Sequence, residues 1–295
     1  MEKEIQLFLE YMETERYASP NTIVSYERDL KQMVQYLQKE GIESVTEIYP
    51  GHLQDYLLFM KENGKKTATV SRAVAAMKAF GHYLFFAHIL KNDPTVYLKA
   101  PKIEKKIPET LTLEETEKLL KQPSGQEPKA LRDRAMLELL YATGIRVSEL
   151  ISLKKQDLNL KMEYLSCQDK NGGRVIPIGK AAKTALADYM QTGRGRIMDE
   201  SRCDYLFTNC SGQPMSRQGF WKLIKGYGKQ AGIEKEITPH ILRHSFAMHL
   251  VKNGADLKTV QEMLGHTNIA ATQVYAQYSA GKMREEYMRA HPRST

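Results

Sequence analysis

Cysteine is scarce in this chain of 295 residues: there are three, Cys167, Cys203 and Cys210, with no CxxC pair among them. An odd count without that spacing argues against a disulfide framework, a cysteine-rich zinc site and redox chemistry. Long apolar runs are also missing, and none approaches the roughly 18 to 20 residues that a membrane span needs. The opening MEKEIQLFLEYMETER is too acidic for a signal peptide. A cytoplasmic protein without membrane insertion is therefore expected. The sequence shows no internal repeat and no low-complexity tract. With 42% hydrophobic and 26% charged residues, it falls outside the fibrous, mucin-like and wholly disordered classes. No carboxylate cluster stands out that would hold a metal ion, so neither metal nor other cofactor is expected.

What is present is positive charge, unevenly placed. Residues 1–100 carry 12 Lys+Arg against 13 Asp+Glu, whereas residues 101–295 carry 31 against 22. The second part thus holds the field of the whole chain, which is +8 at pH 7. Such a field suits a polyanionic partner, because each phosphate contact releases counterions. Many unrelated basic proteins share this property.

The length suggests two domains, and the fold class expected is mainly α. Residues 1–98 read as a helical domain. Ile5, Phe8, Leu9 and Met12 recur at helical spacing, and Ser19-Pro20 pairs an N-cap with an N1 proline to open a second helix. Tyr26, Leu30, Met33, Val34 and Leu37 mark its buried face, and Gly41 ends it. Further helices are expected from Pro50 to Asn63-Gly64 and from Thr67 onward. Residues 99–110 read as a basic linker with Lys99, Lys102, Lys105 and Lys106 and without helical period. Residues 111–295 form the second, α+β domain, opened by a Thr112–Glu115 capping box. Short strands at 157–160, 164–167 and 174–178 make a small antiparallel sheet, with a turn-rich DKNGG between the last two. Helices follow at 180–190, 216–231, 240–253, 256–264 and 268–277, then a polar tail.

The residues suited to chemistry lie in the second part. In PHILRHSFAMHL, Pro239 favours a helix start, so His240 and Arg243, three apart, share one face near the positive helix terminus. A guanidinium fork and an imidazole there suit a phosphate; an interhelical salt bridge is the plainer use of such a pair. In LGHTNIAATQVYAQYS, His266 follows a Gly265 C-cap, and Tyr275 lies nine residues on. Tyr275 and Tyr278 also suit a core with a wet hydroxyl. In YATGIRVSEL, Arg146 follows the Gly144 break and faces either a cleft or Glu149. Lys170, in the hairpin turn, either solubilises the turn or carries an ammonium to a leaving oxygen.

Taken together, TGIRVSEL, DKNGGRVIPIG, HILRHSFAMHL and LGHTNIAATQVY, in this order and spacing, resemble the tyrosine recombinase (phage integrase) family, especially its bacterial Xer members. The match spans essentially the whole chain. The resemblance implies a helical N-terminal domain that clamps DNA and a site-specific recombinase that cuts and rejoins strands through a 3′-phosphotyrosine and a Holliday junction. It implies Arg146 and Arg243 as phosphate clamps, His240 and His266 as supporting histidines, Lys170 as general acid and Tyr275 as nucleophile. His240 would assist proton removal from Tyr275. The implied partners are double-stranded recombination-site DNA, a homo- or heterotetramer on two sites, a partner recombinase and a regulatory translocase. Residues 282–290, with Met283, Tyr287 and Met288 on one side, would dock on the next subunit or cap their own. The implied role is chromosome-dimer resolution or similar; alternatives are a mobile-element integrase on the same fold, favoured less by the lack of an extra N-terminal arm-binding domain, and a non-catalytic DNA-binding module. The chain departs from Xer members in reading QDKNGGRVIP where they show GKGNKER before the VP pair. Counting back from Pro177 reaches Asp169 and counting forward from Arg146 reaches Lys170; a turn one residue shorter reconciles the two.

Overall fold

The computed structural model describes residues 1–103, 108–168, 173–197, 203–266 and 272–275. It divides into two compact units, Met1–Lys106 and Ile107–Thr295.

The first unit is helical: α1 (Glu2–Thr14), α2 (Pro20–Lys39), α3 (Pro50–Glu62) and α4 (Thr67–Phe86). Ser19 caps α2 by accepting the Thr22 N–H, and Pro20 occupies the first turn, where a missing N–H is not felt. Helix α2 packs against α1, α3 and α4, burying Leu30, Met33, Val34 and Leu37 while Tyr26 stays partly exposed. One charge enters this core. Asp29 is buried and is gripped bidentately by Arg72 of α4, at 2.7 and 2.8 Å. A buried carboxylate needs such a partner, and the fork supplies both hydrogen bonds.

The second unit begins with α5 (Leu113–Leu120), opened by the Thr112–Glu115 capping box. Next come α6 (Pro128–Thr143), α7 (Val147–Ser152), strands β1 (Leu158–Asn159), β2 (Tyr164–Cys167) and β3 (Arg174–Pro177), and α8 (Lys180–Asp188). The strands form an antiparallel sheet in the order β1-β2-β3, with Leu165 opposite Ile176. After α8 the chain does not stop where the 180–190 helix was expected to end. A π turn over Tyr189–Gly193 leads into α9 (Arg194–Ile197). Arg194 is buried, and its guanidinium donates to the carbonyls of Cys203 and Tyr205 at 2.8 and 2.9 Å. That demand for acceptors fixes the continuation, and it is invisible to local periodicity. Helices α10 (Arg217–Gln230), α11 (Pro239–Lys252) and α12 (Leu257–Leu264) complete the unit with a 3₁₀ turn at Gln273–Tyr275. Of the helix expected over 268–277, the described part is this 3₁₀ turn instead of α-helix. Among the described residues, no helix is long and apolar enough to cross a membrane.

Helices α6 and α11 pack together at the centre and are buried on nearly every side, polar residues such as Asp133 and Arg243 included. Helix α6 ends at Gly144, in the left-handed region at φ 59°, and the next residues turn sharply into α7. A side chain there would run into the Phe246 ring of α11. The corner is therefore closed to other residues on two grounds, backbone strain and packing. Replacing Gly144 by Ala is expected to lower stability by about 2–4 kcal/mol, the combined cost of left-handed strain and overpacking. Gly226→Ala, at an exposed position inside α10 where an added Cβ meets nothing within 4 Å, is expected to be neutral or stabilising by up to ~1 kcal/mol. Urea unfolding midpoints of the two variants test this difference.

Candidate active site

The site is assembled from the ends of α6 and α12, the start of α7, the face of α11 and strand β3. Arg146 is the N-cap of α7, placed there by the Gly144 corner. Its backbone N–H donates to Glu149 Oε2 at 2.6 Å, and its guanidinium donates to Glu149 Oε1 at 3.1 Å and to the Gly265 carbonyl at 2.8 Å. The Arg146 side chain remains 41% exposed, so part of its fork faces outward. The pairing with Glu149 and the cleft-facing position are both realised.

Glu149 holds a second guanidinium. Arg174 on β3 donates to its two oxygens at 2.9 and 3.0 Å, and Arg174 Nε donates to the Met263 carbonyl at 2.9 Å. Burial opposes charge on Glu149, but hydrogen bonds from Arg174 and the Arg146 N–H, with both guanidinium charges, outweigh it and hold the carboxyl below its ordinary pKa.

Arg243 reaches the same place from α11. It is buried, and its guanidinium donates to the carbonyls of Gly144 and Leu264. Burial, and then the charge of Arg146, push its pKa down to about 10, with Arg174 acting in the same direction. It stays charged at neutral pH. Arg146, Arg174 and Arg243 thus converge with Glu149 as the carboxylate among them. The group carries an excess of positive charge, which suits an anionic ligand.

Two left-handed glycine corners position the acceptors. Gly265, at φ 61°, ends α12 and turns His266 toward the arginines. His266 Nδ1 lies 2.9 Å from Thr272 Oγ1, and Gln261 Nε2 donates to the His266 carbonyl at 3.0 Å. Burial, then the charges of Arg243 and Arg146, lower the His266 pKa to about 4. The ring is neutral at physiological pH.

Tyr275 is 1% exposed and packs in a small cluster with Phe246, Val260 and Leu264. Its hydroxyl is hydrogen-bonded to His244 Nδ1. His240 sits one turn earlier on α11, exposed, with Arg243 between the two histidines in sequence. The structure therefore gathers Arg146, Arg243, His266 and Tyr275 and sets His240 at the edge of the group. Two residues that the motifs did not single out, Arg174 and His244, stand inside it. Their signals were slight: an arginine after the glycine pair of DKNGGR, and a histidine four residues beyond His240, on the same helical face. Lys170 and the hairpin turn, Thr267 and Asn268, Ile269, Tyr278, the 282–290 segment, and Lys105 and Lys106 of the linker lie outside the described residues.

With this geometry in view, the relatives fall into one group. The model of the phage integrase family matches residues 109–281, and that of the phage integrase N-terminal SAM-like domain matches residues 5–87. The tyrosine recombinase XerD of Halalkalibacterium halodurans is 47% identical over 292 residues, covering 98% of each chain. XerD of Listeria monocytogenes serotype 4b is 42% identical, covering 98% of this chain and 99% of that one. Among solved structures, the XerA recombinase aligns over 99% of both chains with 28% identity and a TM-score of 0.56. The XerH site-specific recombinase, in a post-cleavage complex with palindromic difH substrate, gives a TM-score of 0.76 over 92% of this chain and 81% of that one. At 23% identity that likeness is one of fold. The chain belongs to the phage integrase family of tyrosine recombinases, in its Xer-like branch, and is a site-specific recombinase that cuts and rejoins DNA strands.

Proposed function

We propose that cutting proceeds by attack of the Tyr275 hydroxyl on a DNA phosphodiester clamped by Arg146 and Arg243. The observation that carries this reading is the convergence of these two guanidiniums with His266 and Tyr275, four side chains drawn from separate segments of the chain. A phosphodiester resists attack because the nucleophile approaches a negative group and more charge gathers on its oxygens in the transition state. Fixed donors in a site that excludes water offset this, at about 3–4 kcal/mol for each well-placed donor. In the tautomer whose Nδ1 accepts from the Thr272 hydroxyl, the neutral His266 ring carries its proton on Nε2 and donates it to a phosphate oxygen. His240, beside Arg243 at the start of α11, supports the same phosphate.

The Oη–P bond forms as the P–O5′ bond breaks, giving a 3′-phosphotyrosine and a 5′-hydroxyl. Lys170 protonates the departing oxygen. Bond energy is kept in the phosphotyrosine, so attack by another strand's 5′-hydroxyl rejoins the backbone without ATP. Two such rounds pass through a Holliday junction. One tyrosine per chain and four strands to cut imply four protomers on two duplex sites, as a homotetramer or with a partner recombinase. The N-terminal unit binds the same DNA, and engaging one duplex with both units raises avidity. Because Tyr275 is 1% exposed in the DNA-free protein, its turn must open outward before attack. Identity to XerD proteins across nearly the full chain supports a chromosomal role, resolution of chromosome dimers or a related task, and with it regulation by a translocase.

The reading makes three measurable claims. On a nicked half-site duplex, the protein is expected to trap a denaturation-resistant adduct that Tyr275→Phe abolishes without weakening DNA binding; an adduct that survives in this variant and disappears in Tyr278→Phe transfers the role to Tyr278. Lys170→Ala is expected to cleave ~10²-fold or more slowly and to recover on DNA with a 5′-phosphorothiolate leaving group, which needs no general acid; equal slowing on both substrates removes Lys170 from the reaction. Glu149→Gln is expected to be about 2 kcal/mol less stable at neutral pH, through weaker hydrogen bonds to the guanidiniums. The sign follows from the depressed pKa: the carboxylate's contribution is fully present above its ordinary value of 4.5 and is lost as pH falls through the lower folded value. Urea unfolding of both proteins from neutral to acid pH should show the gap closing; a constant gap would mean that the charge of Glu149 is not what stabilises.

A further inference from the structure

A helix leaves its last carbonyls without partners in the helix, and a buried end must find donors for them elsewhere. Helix α12 ends in this way at the site. Its glycine corner serves two of them: the N–H groups of Gly265 and His266 donate to the carbonyls of Glu262 and Gln261 at 3.0 and 3.1 Å. The next three carbonyls in sequence each accept from a different arginine. Met263 accepts from Arg174 Nε at 2.9 Å, Leu264 from Arg243 at 2.7 Å and Gly265 from Arg146 at 2.8 Å. We infer that Arg174 is a positioning residue for strand cutting, which joins the end of α12 to Glu149 so that the Arg146 and Arg243 guanidiniums stand at a fixed separation. This rests on Arg146 and Arg243 being the phosphate clamp.

The shape of the guanidinium explains why an arginine stands here. On one side its Nη1 and Nη2 grip the two Glu149 oxygens at 2.9 and 3.0 Å, and Glu149 in turn holds the Arg146 backbone and side chain. On the other side Nε holds the Met263 carbonyl. The group is planar with its donors at fixed angles, so a single rigid plate sets the distance between the start of α7 and the end of α12. A lysine, with one nitrogen on a flexible stem, sets no such distance. The plate also lies against the Gly265 main chain, where an added Cβ would come within 2.7 Å of Arg174 Nη1 and 2.8 Å of its Cζ. Gly265 is thus held by Arg146 at its carbonyl and by Arg174 where a side chain would be. Arg174 is 11% exposed against 41% for Arg146, so it lies behind the clamp and acts on a phosphate through it. None of these described partners belongs to the Gln273–Tyr275 turn, and outward movement of that turn leaves the brace in place. Placement of the clamp matters to the rate, because a shift of about 1 Å can cost ~10²-fold.

The test separates placement from charge. Arg174→Lys keeps the positive charge but cannot hold Glu149 and Met263 together. With the full chain and a nicked half-site duplex selected by binding from a randomised library, this variant is expected to form adduct ~10-fold to 10²-fold more slowly at saturating DNA, with affinity within about threefold of the parent. Because Arg174 acts through the clamp, the same substitution in an Arg146→Ala background should slow the reaction less than about threefold. An Arg174→Lys rate equal to the parent's would mean that charge alone suffices, and it overturns the assignment. Equal slowing in the two backgrounds overturns it as well, since Arg174 would then act independently of Arg146. Should Arg174→Lys fail to melt cooperatively, the same pair of comparisons on Arg174→Gln decides by the second criterion. Failure of the clamp assignment has a different signature, an Arg146→Ala protein that forms adduct at the parent rate.

Discussion

Guanidinium groups brought together repel one another, and the Glu149 carboxylate is what allows this site to hold three. It takes Arg174 on both oxygens and Arg146 on its side chain and backbone, while Arg243 is left to carbonyl oxygens. One negative charge set against three positive ones leaves an excess inside a partly buried pocket. Neutral carbonyl dipoles at Gly144, Leu264 and Gly265 moderate the excess without cancelling it. An incoming phosphate would supply the missing charge, so the same imbalance that limits the stability of the empty site favours its occupation.

The carbonyls in turn depend on two glycines. Gly144 and Gly265 both take left-handed backbone at helix ends, and there the chain reverses so that terminal carbonyls, otherwise unpaired, point inward. Arg243 and Arg146 use these acceptors in place of capping groups. The fold thus joins helix termination and site assembly in single residues. Helix α11 adds a second coupling: its Ser245 accepts from the Leu111 N–H at 2.8 Å, and His249, bonded to Tyr141, meets the Leu111 carbonyl at 3.0 Å. The segment that opens the catalytic unit is therefore pinned to the helix that bears Arg243 and His244.

Much of this was legible before the structure, and what was legible was local. Ser19-Pro20, Thr112–Glu115, Gly144 and Gly265 declare their helix ends because a cap acts within one turn. The strands around the hairpin show their alternation within a few residues, although the first narrows to Leu158–Asn159. Arg146, Arg243 and Tyr275 were singled out from nearby helix-end signals, with structural uses left open beside them, and motif order then gave them their weight. What escaped depends on contacts between distant segments. Arg174 gains meaning only from Glu149, 25 residues away, and Met263, 89 away. His244 gains it only from Tyr275, and Arg194 only from carbonyls that follow it on another segment. The histidine next to Arg243 reads in sequence as one more polar residue on a helix whose buried face is nearly continuous.

That continuity explains how Tyr275, the proposed nucleophile, is kept. Tyr275 has its ring against Phe246, Val260 and Leu264 and its hydroxyl on His244, so the hydrogen bond it would lose on leaving is the one that must be replaced by the phosphate site. A tyrosine exposed to water beside three arginines could cut any duplex that brushed the surface. In the proposed reaction, burial makes exit of the ring a prerequisite for cutting, and contacts formed on DNA supply the energy for exit. The exit involves a short 3₁₀ turn at Gln273–Tyr275, held by a Tyr275 N–H to Thr272 carbonyl bond of 3.0 Å. The same Thr272 touches His266 through its hydroxyl. In the proposed reaction, a phosphate that engages His266 would act directly on the turn that carries Tyr275, because His266 and the Tyr275 N–H share Thr272 as partner.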